Sequence, residues 1–274
     1  MIVLQNVSKK FGTGVFGLSD ISFSVEKGEF LFLVGPTGAG KTTIFKLLIK
    51  ESDPSEGSIR VGDWEITKLP KNKIPQLRKK IGVVFQDLKL LLDRTVLENI
   101  LLPLDVIGLS ESEAKQKASE ILTQVGIIEH KDKFPVQLSG GELQRAAIAR
   151  ALVLEPEVLL ADEPTGNLDA ATGWEIVKLL SDINDKGTTV IMATHNADVV
   201  KSLKKREIEL ERGSITKDQT QGKSHKVAHK KAASFADASK AESDGQGKDE
   251  DSEEPASEDK TSEKDDLEKA LEKK

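Results

Sequence analysis

Gly35-Pro36-Thr37-Gly38-Ala39-Gly40-Lys41-Thr42 is the stretch that decides how this chain folds. It is a complete G-x-x-x-x-G-K-T loop. Phe30–Val34 before it form a short apolar run of the buried-strand kind, and residues 41–50 after it carry a helical pattern. Strand, glycine loop and helix N-terminus in that order are the context a phosphate-binding loop requires. The N–H groups of residues 38–42 are expected to surround a β-phosphate, with the helix dipole adding positive potential. Lys41 is expected to bridge β- and γ-phosphates, and the Thr42 hydroxyl to hold Mg²⁺.

Outward from the loop, short apolar runs alternate with longer helical patterns. Strands are expected over 2–7, 21–25, 30–34, 58–61, 81–85, 158–161, 188–193 and 206–210. Helices are expected over 41–50, 111–125, 140–154, 170–185 and 197–201. The alternation predicts an α/β fold with a parallel sheet covered by helices. Residues 87–154 hold no convincing strand and read as a helical insertion.

Composition narrows the class. The chain has 274 residues and no cysteine, which excludes disulfides and thiolate metal sites. No apolar run approaches the roughly 18 residues that span a bilayer. Ile2-Val3-Leu4 open the chain without a basic region, so no signal peptide is expected. The net charge of −6 argues against a general nucleic-acid binder, and no nucleic acid is expected as a partner. Residues 217–274 carry 12 basic and 16 acidic residues and one aromatic, Phe235. Such a segment buries too little apolar surface to offset chain ordering, so it is expected to be a disordered charged tail. Its first part is basic and its last part acidic. The folded domain is expected to be 1–216.

Further motifs carry chemistry. Asp162 ends an apolar strand, where a carboxylate can hold Mg²⁺, and Glu163 next to it can act as general base on a water. Leu138-Ser139-Gly140-Gly141-Glu142 places a serine cap and free N–H groups at a helix start, which suits a γ-phosphate as well as it suits a simple N-cap. His195 follows the strand over 188–193 and could donate to a γ-phosphate. Gln86 follows the strand over 81–85 and could reach both Mg²⁺ and the attacking water. Phe11 is a candidate stacking platform for adenine.

In the order Phe11, 35–42, Gln86, 138–142, Asp162-Glu163, 167–169, His195, the chain resembles the ATP-binding-cassette (ABC) ATPases. The resemblance covers residues 1 to about 216. It implies a P-loop NTPase fold: a RecA-like core, an antiparallel β subdomain and a helical subdomain near 87–154. It implies ATP hydrolysis by a homodimer. Gly35, Pro36, Thr37, Gly38, Ala39, Gly40, Lys41, Thr42, Thr43, Phe11 and Asp169 would bind nucleotide. Ser139, Gly140, Gly141 and Glu142 would bind it from the other subunit. Glu163, His195, Gln86 and Lys41 would be the catalytic groups, with Thr42, Gln86 and Asp162 on Mg²⁺. Phe11 stands where the family usually has tyrosine, and Leu143 where it often has glutamine.

A narrower resemblance is to the cell-division branch of that family. It rests on 32–41, 81–87, Asp93-Arg94-Thr95-Val96 and 192–196. It implies an FtsX-like transmembrane partner, a peripheral place on the cytoplasmic face of the plasma membrane, and control of peptidoglycan hydrolysis. Lipoprotein-release and macrolide-export ATPases share residues 162–169 and remain an alternative. A soluble cassette ATPase without a membrane partner is a further one.

Overall fold

A computed structural model of the chain describes residues 1–12, 16–220 and 223–224. They belong to one unit, Met1–Ala228; a second unit, His229–Lys274, and with it most of the expected tail, lies outside the described residues.

The chain opens with strands β1 (Ile2–Lys10), β2 (Phe16–Val25) and β3 (Phe30–Val34), then helix α1 (Lys41–Leu48). Strands β4 (Glu56–Val61) and β5 (Trp64–Glu65), helix α2 (Ile74–Lys79) and strand β6 (Ile81–Val84) follow. Three helices come next: α3 (Val96–Val106), α4 (Glu111–Gln124) and α5 (Gly140–Leu152). The chain then alternates: β7 (Val158–Asp162), α6 (Ala170–Asp185), β8 (Thr189–Thr194), α7 (Ala197–Leu203), β9 (Arg206–Glu211), β10 (Ser214–Thr220) and β11 (Lys223–Ser224).

Two sheets result. An antiparallel sheet has the order β2-β1-β4-β5, and a larger one the order β11-β10-β9-β3-β8-β7-β6. In the larger sheet β9, β3, β8, β7 and β6 are parallel, and β10 and β11 add an antiparallel edge. The central strands are apolar throughout because both faces are covered. Phe30, Phe32, Leu159, Ala161, Val190 and Met192 face the core shared with Ile148, Ile176 and Leu180 of α5 and α6. Leu31, Leu33, Leu160, Ile191 and Ala193 face the other core, with Ile44 and Leu48 of α1 and Ile2, Leu4 and Ile59 of the antiparallel sheet. The fold is that of a P-loop NTPase, with helices α3–α5 inserted between β6 and β7.

Strand β3 and helix α6 fall where the apolar pattern puts them. Three differences have physical causes. Strand β2 begins at Phe16, not Ile21, because it runs through a bulge: Asn6 and Asp20 both take left-handed φ (49° and 52°), and the Asn6 amide donates to Asp20 at 2.9 Å. Helix α3 is not among the expected helices and holds Pro103 in its interior, yet Thr95 and Glu98 close a capping box at its start.

The third difference is at the domain edge. Strand β10 continues past Thr216, the expected boundary, to Thr220. Arg206 holds Asp218 with two hydrogen bonds, 2.9 and 2.8 Å, and its remaining nitrogen donates to the Ser24 carbonyl and to Glu29. The Arg206 and Asp218 side chains are only 12% and 11% exposed. Asp218→Ala leaves a largely buried guanidinium with half its acceptors, at a cost of roughly 2 kcal/mol for the lost charge-assisted hydrogen bonds. The melting temperature is expected to drop by about 4–8 °C in a thermal-shift assay. An unchanged value would mean that the strand end contributes nothing to the core.

Candidate active site

The phosphate loop sits where a parallel sheet offers a ligand site, at the carboxyl ends of its strands. Residues 35–40 follow β3, Gln86 follows β6, Asp162 ends β7 and His195 follows β8. The strand ends are level: Val34 pairs with Thr194, and Asp162 with Ala193. Four strands therefore deliver four functional groups to one place. A cavity of about 230 Å³ lies there, lined by residues 37–43, Gln86, Asp162, Glu163, Gly166, Asn167 and His195.

Gly35 turns the chain out of β3 at φ +153°, and a Cβ on it would stand 2.3 Å from the Leu210 carbonyl oxygen. No side chain fits there. Lys41 is buried, and its ammonium donates to the carbonyls of Gly35 at 2.6 Å and Pro36 at 3.2 Å. The same ammonium lies 3.3 Å from Glu163 Oε1, while Glu163 Oε2 lies 2.9 Å from His195 Nδ1. Glu163 is thus clamped between two cationic or hydrogen-bonding groups. Its backbone is held at φ +48°, a conformation that costs a non-glycine residue of order 1 kcal/mol.

Asp162 is 6% exposed. Its Oδ2 accepts from the Thr42 hydroxyl at 2.8 Å, and its Oδ1 is buried without a hydrogen-bond partner. Burial pushes its carboxyl up from the usual range, and the Thr42 hydrogen bond and Lys41 pull it partly back. A buried, unsatisfied carboxylate oxygen beside a threonine hydroxyl fits a hard divalent cation. Among the described residues no group of three His, Cys, Asp or Glu is arranged to hold a metal ion by itself, so a metal here would draw further ligands from phosphate oxygens and water.

The glycine-rich motif at the start of α5 is elsewhere. Ser139 is the N-cap; its hydroxyl accepts from the Glu142 N–H, and its own N–H and O–H donate to Glu142 Oε2 at 2.7 and 2.8 Å. These bonds, the backbone one first, hold the Glu142 carboxyl below its usual range. Gly141 is required because a Cβ would meet Thr172 Cγ2 at 2.5 Å. None of residues 139–142 lines the cavity that holds Lys41. Asp169 is not in it either. It caps α6, accepting from the N–H groups of Ala171 and Thr172. Phe11 is half exposed, its ring against Gly17 of β2 with the Lys9 ammonium 5.8 Å away, and it too lies outside the cavity. Gly166 and Asn167 line the cavity although they were not singled out as site residues. Their signal was their position directly after Glu163.

Asp162 is buried and Glu163 beside it partly so, next to a phosphate loop at a strand end; the arrangement is that of a cassette-type ATP hydrolase. The profile of the ABC transporter family matches residues 18–166, and the chain belongs to the ATP-binding-cassette family. It is 46% identical over 222 residues to the cell division ATP-binding protein FtsE of Bacillus subtilis, covering 81% of this chain and 97% of that one. To FtsE of Escherichia coli it is 43% identical, covering 78% and 97%. A solved ATP-binding cassette, a dimer in a post-hydrolysis state bound to ADP and Pi, superposes with a TM-score of 0.74 at 34% identity, over 80% of this chain and 98% of that one. No helix among the described residues is long and apolar enough to cross a membrane.

Proposed function

We propose that this chain is the ATPase subunit of an FtsE-like membrane complex, and that its active site is shared between two copies. One observation carries the second statement. Lys41 and Glu163 line one cavity, while Ser139 and Gly140 are exposed at the start of α5, outside that cavity on the same chain. The dimeric cassette to which the chain is similar supports the same reading. Each ATP would lie between the phosphate loop of one copy and Ser139 of the other.

The geometry supports a role for each group. Phosphate oxygens compete with Glu163 and the loop carbonyls for the Lys41 ammonium. As Lys41 turns to the phosphates, Oε1 of Glu163 loses its partner and becomes free to accept a proton from water. The water oxygen bonds to the γ-phosphorus as the β–γ bridging P–O bond breaks, and ADP leaves with the bridging oxygen. His195 orients Glu163 and donates toward the γ-phosphate. Thr42, Gln86 and Asp162 would hold Mg²⁺, which neutralises phosphate charge when bound. Phe11 would stack on adenine. Asp169 would act through the segment that follows Glu163.

The work is done on a partner. Leu92, in the segment after Gln86, and Leu102 and Val106, one turn apart on α3, are exposed at 64%, 44% and 77%. Exposed apolar side chains on this insertion suit a cytoplasmic helix of an FtsX-like transmembrane protein. By this reading the chain is peripheral on the cytoplasmic face of the membrane, and closure and opening of the dimer transmit force that regulates peptidoglycan hydrolysis. The test is co-expression with the FtsX-like protein of the same organism. The two are expected to purify together from detergent, and Leu92→Asp with Val106→Asp to abolish this without changing nucleotide affinity. Association instead with a lipoprotein-release or macrolide-export permease, and none with the FtsX-like protein, would overturn the reading.

A further inference from the structure

Glu142 uses its carboxylate twice. Oε2 takes the N–H and O–H of Ser139, and Oε1 lies 2.7 Å from Nε2 of His130. His130 ends the single turn Ile128–His130 that precedes the motif. Its Nδ1 is buried with no hydrogen-bond partner. A bare ring nitrogen is less costly there than an unpaired N–H, so Nε2 carries the hydrogen and donates to Glu142. The turn is fixed from its other side as well. The carbonyls of Lys131 and Lys133 accept from the N–H groups of Leu97 and Val96, at 2.8 Å each, which are among the free donors at the start of α3.

We infer that His130 is a positioning residue for ATP hydrolysis: it holds Glu142 so that Glu142 presents Ser139 in one orientation at the start of α5. The inference rests on the reading of Ser139 as a phosphate ligand for the other copy. Without His130 the Glu142 carboxylate keeps its bonds to Ser139 but loses the one that ties it to the turn over 128–130. The Ser139–Glu142 pair is then less firmly fixed at the start of α5, and Ser139 loses part of its preorganisation toward a ligand. Nothing in the phosphate loop changes, because Lys41 and Thr42 take no part in this network.

The experiment measures kcat, affinity for a fluorescent ADP and melting temperature for the full chain and three variants. His130→Ala is expected to lower kcat about tenfold, as for loss of a group that orients a ligand, with ADP affinity unchanged. His130→Leu, which fills the ring's volume without a donor, is expected to repeat that result. His130→Lys restores a donor to Glu142 and is expected to recover most of the rate. Wild-type kcat in His130→Ala, or a loss that lysine does not recover, overturns the inference. Ser139→Ala separates the two readings. If it turns over like the wild type, the role of Ser139 itself fails. If it is slow while His130→Ala is normal, only the role of His130 fails.

Discussion

Glu163→Gln is expected to bind ATP and hydrolyse it at least ~100-fold more slowly, since a positioned base contributes about 10²–10⁴. The carboxylate sits between Lys41 and His195, at 3.3 and 2.9 Å, and directly follows Asp162. Glutamine keeps the shape and one acceptor oxygen but cannot take a proton from water. It also removes the ion pair that competes with phosphate for Lys41, so affinity should stay level or rise. With hydrolysis blocked, the closed pair of subunits should accumulate in ATP and elute as a dimer in size-exclusion chromatography. Near-wild-type turnover in a preparation free of contaminating ATPase would remove Glu163 from the role of base.

Lys41→Ala is expected to fail one step earlier. The wild-type ammonium is buried, and its partners among the described residues, the Gly35 and Pro36 carbonyls and Glu163, are groups that phosphate oxygens can replace. Charge-assisted hydrogen bonds in such a site contribute roughly 2–3 kcal/mol, which is a factor of about 30–150 in affinity. Titration with a fluorescent nucleotide should show a loss of that size, and turnover should vanish at moderate ATP. Unchanged affinity would mean that the backbone N–H groups and helix dipole bind the phosphates without the lysine.

Much of this site is legible in the chain because its groups are local to strand ends. Phe30–Val34 announces a strand buried on both faces, and Gly35 is where such a strand must turn. Asp162 ends a second apolar run, and the approach to His195 forms a third. What is not legible is which ends meet. That Gln86, Asp162 and His195 converge on Lys41 depends on the order β3-β8-β7-β6, which no local pattern encodes. The same holds at the domain edge. Lys217 and Asp218 look like the start of a charged tail, because the partners that order them, Glu207 and Arg206, lie on the neighbouring strand. Helix α3 does leave a local mark, since Thr95 and Glu98 form a capping box ahead of an apolar stretch. His130 gave no signal at all. A histidine nine residues before Ser139 gains meaning only when the turn that carries it folds back onto Glu142.

If one chain holds half of each site, two inactive variants should complement each other when mixed. Lys41→Ala lacks the phosphate grip but keeps Ser139. Ser139→Arg keeps the whole cavity around Lys41 but blocks closure with a bulky cation. Each should be inactive alone, the second while still binding ATP. In a mixed dimer, Lys41 of the Ser139→Arg copy faces wild-type Ser139 of the other, which makes one intact site. The expected result is ATPase activity in the mixture that neither variant has by itself, rising with protein concentration. Wild-type turnover by Ser139→Arg alone would contradict the account, because the cavity of a single chain would then be sufficient.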